Sequence, residues 1–189
     1  HLRERDGILP GSTIDEKLGM FNNDLMAFYS TTGCRNRLPP LRQSNLMGDS
    51  GYPELKGQLI KAANTRSLVP YLLDLQQRAC TAINTDRNRH MLKVLDSLQK
   101  LYEIFDGASY FLTTAEKESV HKHCNRMGQN YQVLAVQAMK DRKLLWKQQP
   151  KLHYCVGHLP EQARLINPRV VQGYTSEGMV GSMAAIYKK

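Results

Sequence analysis

Apolar residues along this 189-residue chain recur at intervals of three and four, the period that turns one face of an α-helix toward a core. Ile14, Leu18, Phe21, Leu25 and Phe28 keep that step, which predicts a helix from Thr13 to about Tyr29. Thr13 and Glu16 have the spacing of a capping box at its start, and Gly33 ends it. Residues 33–53 break the pattern with three prolines. They are expected to form a basic loop that moves freely or lies along a partner. A second helix is expected to start near Pro53, with Pro70 kinking or restarting it, because proline has no N–H to donate to the helical ladder.

The third stripe is nearly continuous. Met91, Val94, Leu95, Leu98, Leu101, Tyr102 and Phe105 predict a helix over 87–106, opened by Asp86 and closed by Gly107. Thr113 and Glu116 form another capping-box pair. The helix after them is expected to run to about Gln148 on Val120, Cys124, Met127, Tyr131, Leu134, Ala138 and Leu145, with an interruption at Asp141. Beyond Pro150 the pattern shortens. Residues 151–156 and 169–174 read as minor extended elements, PEQARLIN as a short helix, and SEGMVGSMAAIYKK as a final helix capped by Thr175 or Ser176. The fold class is therefore mainly α: a helical bundle built around a long antiparallel hairpin. Its organisation is an N-terminal helix and Pro-rich loop over 1–53 and a helical domain with a basic C-terminal part over 54–189.

Charge adds an asymmetry that hydropathy does not show. The chain carries a net +9, and residues 119–189 hold 11 Lys and Arg against 3 Asp and Glu. Such a bias favours an anionic partner, nucleic acid first. No apolar run reaches the roughly 18 residues of a membrane span, so no membrane partner is expected. Four widely spaced cysteines without a CxxC pair read as reduced thiols of an intracellular protein.

Lys140, Arg142, Lys143, Lys147 and Lys151 interleave with Trp146, a composition suited to phosphate contact with stacking. If the helix persists, positions 140, 143, 147 and 151 share a face. Arg164 and Arg169 extend the basic set. His121, His123 and Cys124, with His153, Cys155 and His158, offer nitrogen and sulfur, but the spacing argues against zinc. On a helix His121 and His123 point about 200° apart. Cys155 between two histidines lacks a third group to orient a base. Glu177 opens the final helix, where a carboxylate complements the helix dipole. It could also hold Mg²⁺ beside phosphates, but it shows no obvious carboxylate partner.

The order LKGQLIKAANTRSLVPYLL, a helical hairpin, PKLHYCVGHL, then NPRVVQGYTSEGMVG resembles the C-terminal part of mobile-element DDE-type transposases. The En/Spm-like and Kyakuja–Dileera–Zisupton-like kinds, and related protist reading frames, share this order over roughly residues 54–181. The resemblance implies an all-helical insertion returning to an RNase H-like core. Glu177 then matches the final metal-binding acid, His153 and His158 the paired histidines, and Arg66 the arginine of the opening segment. The spacing here is His-x4-His, against the family's His-x3-His, and the first two catalytic aspartates would lie upstream of His1. The function expected is a transposase-like, nuclear, nucleic-acid-binding helical module, in which Glu177 and Mg²⁺ would carry any strand chemistry. The alternative is a non-catalytic helical subunit of a larger assembly.

Overall fold

The computed structural model describes residues 11–46, 55, 62–148 and 150–171. The Thr13–Glu16 capping box heads α1 (Ile14–Thr31) as its spacing predicts. The Glu16 carboxylate accepts from the Ser12 backbone N–H at 2.7 Å and the Ser12 hydroxyl at 2.8 Å. These bonds stabilise the charged form and hold its pKa below the ordinary value. α1 ends as Gly33 takes a left-handed φ of 64°, which lets the Cys34 N–H reach back to the Tyr29 carbonyl at 3.1 Å.

The described part of the loop after α1, residues 33–46, is not free. Leu38 and Leu41 are buried, and the Asn22 side chain brackets Leu41, donating to its carbonyl at 2.9 Å and accepting from its N–H at 2.8 Å. Pro39 and Pro40 stop helix formation, but the leucines on either side of them still reach the core. Leu55 is non-helical, so the next helix does not start at Pro53, and its described part is α2 (Ala62–Ala82). α2 continues through Pro70 rather than restarting there. Its Tyr71 ring packs edge-on against Phe21 at 5.3 Å, and its Arg78 bonds Asp24 at 2.7 Å. Leu18, Leu25, Tyr29, Leu38, Leu41, Tyr71 and Leu75 form the first core cluster.

α3 (Asp86–Gly107) starts on Thr85, whose hydroxyl accepts from the Asn88 N–H. α4 (Thr114–Lys140) starts on the predicted Thr113–Glu116 capping box. Contacts between α3 and α4 run in opposite chain order. Arg87 meets Asp141 at 3.9 Å, His90 meets Asn130 at 2.7 Å, and Asp96 meets Arg126 at 2.8 Å. The two helices are antiparallel. Their stripes close a second cluster containing Met91, Leu101, Phe105, Val120, Cys124, Met127 and Leu134. Full burial of each such side chain is worth about 1.5–3 kcal/mol. Gln76, fully buried on α2, joins the clusters by donating to the Asn88 carbonyl at 3.1 Å.

The segment after α4 departs from its expected form. Residues 151–156 are helical rather than extended. α5 (Pro150–His153) passes through a π-helical turn, Tyr154–His158, into α6 (Leu159–Leu165). The segment read as extended is instead helical and places Cys155, Leu159 and Ala163 against the second cluster. Ile166 is extended, and Pro168–Val171 is a 3₁₀ turn rather than the start of a strand. Residues 172–174, the rest of that expected element, and the expected final helix lie outside the described residues. The returning helix runs back along α4: Val156 sits against Gly128, and Asn167 reaches the C-terminal end of α3. Among the described residues, no helix is long and apolar enough to cross a membrane.

Candidate nucleic-acid interface

α4 stops at Lys140, eight residues short of the expected Gln148, and the way it stops shapes the basic cluster. The Arg142 N–H bonds the Met139 carbonyl at 3.0 Å, and the Lys143 N–H bonds the Ala138 carbonyl at 2.9 Å. This is the same closing pattern that ends α1 on Gly33. Here the left-handed position is filled by Arg142, at φ 52°. Such a conformation costs a non-glycine residue roughly 1–2 kcal/mol. Trp146, at φ 58°, is a second left-handed residue in the same turn.

Because the helix ends, positions 140, 143, 147 and 151 do not lie on one helical face. Lys140 and Lys143 flank the turn that closes α4, and Lys147 follows where the chain docks on Tyr131. Lys140, Arg142 and Lys143 are exposed there, and Lys147 is half-buried. Trp146 is not an open stacking platform. Its ring packs edge-on against Tyr131 at 5.2 Å and anchors the turn to α4. The Tyr131 hydroxyl donates to the Lys147 carbonyl at 2.7 Å, and burial pushes its pKa above the ordinary phenol value. Lys151 lies in α5.

The other two predicted basic residues sit elsewhere. Arg164 pairs with Glu161 at 3.2 Å on α6. Arg169 pairs with Asp106 at 2.9 Å at the far end of α3. That end lies about 30 Å from the α4 turn, given α3's 22 residues. The sequence-derived basic set is therefore one cluster and two outliers. Arg87 joins the cluster from the start of α3 through its contact with Asp141. Sequence reading missed it because it lies far upstream, and only the α3–α4 register brings it in.

The remaining candidates are dispersed. His121 is exposed and His123 half-buried; the His123 Nδ1 is buried with no hydrogen-bond partner among the described residues. Burial, and then repulsion from Arg126, lowers the His123 pKa below its ordinary value. Cys124 is fully buried, and burial, with Cys155 nearby, pushes its thiol up to about 12, which makes it an inert core residue. Burial also raises the Cys155 thiol. Arg66 lies 4.6 Å over the Tyr102 ring and pairs with Asp106. These two contacts tie α2 to α3, beside an open cavity of about 420 Å³. His153 and His158 are exposed neighbours on the π turn. Glu177 lies outside the described residues. Among the described residues, no three His, Cys, Asp or Glu side chains converge as a metal site.

Comparison with protein-family models, with curated proteins and with solved structures finds no match to this chain.

Proposed function

We propose that this chain is a nucleic-acid-binding helical module of a transposase-like protein, acting in the nucleus, and that it meets phosphates through the turn closing α4. The footprint is Lys140, Arg142, Lys143 and Lys147, with Arg87 beside them and Lys151 following in sequence. One observation carries this reading. An exposed arginine occupies a backbone position that glycine would fill at lower cost, and it does so within the basic turn. Strain kept where cations cluster points to a role for the side chain. Arg169, at the opposite end of α3, and Arg164, on α6, fall outside the footprint. Glu177 is the residue that would carry any Mg²⁺-dependent strand chemistry.

Duplex DNA binding measured against salt tests the reading. The log–log slope should be steep. Replacing Lys140 and Lys143 by alanine should flatten it by about 0.9 for each phosphate no longer neutralised. Arg164→Ala should leave it unchanged. Absence of duplex and single-strand affinity at low salt would overturn the proposal.

A second reading draws on a separate observation. Met139 is 77% exposed and Leu144 56% exposed, flanking the same lysines. Exposed apolar side chains of this size beside cations also suit docking onto an acidic protein surface. This makes the chain a non-catalytic subunit of a larger assembly. In that case Met139→Ala would weaken assembly, and nucleic-acid affinity would be absent.

A further inference from the structure

We propose that the π turn builds a two-histidine site for an imidazole-seeking divalent cation of the Ni²⁺ or Cu²⁺ class, with His153 and His158 as its ligands. The geometry is independent of the polyanion reading. In an α-helix, side chains five positions apart point about 140° away from each other. Between these two histidines, however, the backbone is π-helical, and the Leu159 N–H bonds the Tyr154 carbonyl five residues back. The wider turn places the imidazoles on one face, with ring centroids 5.1 Å apart and planes at 87°. Both rings are exposed, and neither ring nitrogen makes a hydrogen bond to a described residue. The His153 ring lies along Gly157, where a side chain would come within 3.6 Å of it.

The neighbouring groups define the ligand chemistry. The Tyr154 hydroxyl is engaged by Gln162 at 2.7 Å. Cys155 turns into the core, against the second cluster. The site therefore offers two imidazole nitrogens and leaves the other coordination positions to water. Imidazole suits Ni²⁺ and Cu²⁺, and a two-nitrogen edge lacks the closed four-ligand set of structural zinc.

Calorimetric titration of the full chain with Ni²⁺ tests the site. The background should carry His1→Asn and His121→Asn, so that these other imidazoles do not contribute. One ion per chain is expected, and His153→Asn and His158→Asn should each lower affinity tenfold or more. The circular dichroism spectrum should not change, because both side chains are on the surface. Full affinity in either variant, or no binding in the background chain, would overturn the proposal. The Cu²⁺ adduct gives a second readout: nitrogen hyperfine structure from two imidazoles in the background chain, and from one in each variant.

Discussion

The side-chain amide of Asn167 donates to the Phe105 carbonyl at 3.0 Å, joining positions 62 residues apart in the chain. The same amide also reaches the carbonyls of Ala108 at 3.3 Å and Ser109 at 3.1 Å, while its own oxygen accepts from the Arg169 N–H at 3.1 Å. The last carbonyls of a helix have no partner within it. One buried side chain from far along the chain thus closes α3. Replacing it leaves several acceptors dry, at about 1–3 kcal/mol for each group left unsatisfied. Asn167→Ala should lower the unfolding free energy by about 2–3 kcal/mol in urea titration. Asn167→Asp should be worse at pH 7 than at pH 4, because only the protonated acid can donate to those carbonyls.

Gly128 on α4 faces Val156 on the π turn so closely that a Cβ there would lie 2.7 Å from the valine Cγ2. A free helical site would gain about 1 kcal/mol from glycine to alanine. Here Gly128→Ala should instead destabilise by about 1–3 kcal/mol, since the β-branched valine in a helical turn has little rotamer freedom with which to give way. Adding Val156→Ala should recover much of that loss. A double-mutant cycle in denaturant measures the coupling, and additive costs would sink the account.

Arg142 offers a trade between stability and binding. Arg142→Gly should raise stability by about 1 kcal/mol by relieving the left-handed backbone. If the turn meets phosphates, the same change should weaken DNA binding and flatten its salt slope by about 0.9. Thermal melts and salt-dependent binding on one variant separate the two effects.

His123 should make stability depend on pH. Its folded pKa lies below the ordinary value of about 6.5, so the unfolded chain takes up the proton first as pH falls. The stability it contributes is present above that ordinary value and is lost as pH falls toward the folded pKa. His123→Gln should flatten the fall in urea midpoint between about pH 7.5 and 5.5, and an unchanged slope would exclude the assignment.

Helix existence was legible wherever a three-four stripe had a capping pair at its head. Thr13–Glu16 and Thr113–Glu116 both form as their spacing implies. What the stripe could not convey was where α4 stops, because the stop uses an arginine in a role usually signalled by glycine. Residues 151–156 failed for another reason. At α-helical period, His153, Cys155 and His158 fall on scattered faces, and a π turn has no simple sequence signal. The outlying position of Arg169 followed from the path of the returning helix, which no local pattern records. The buried loop leucines were hidden by the prolines around them, which mark the loss of helix but not the loss of packing.

The return helix is fastened at two points, Val156 against Gly128 and Asn167 against the carbonyls of α3. Adding or deleting one residue between them would rotate one fastening by about 100° relative to the other. The stretch from 156 to 167 is therefore locked in phase. Changes of length that homologous chains tolerate should fall outside it, with the turn after α4 as the natural place for them.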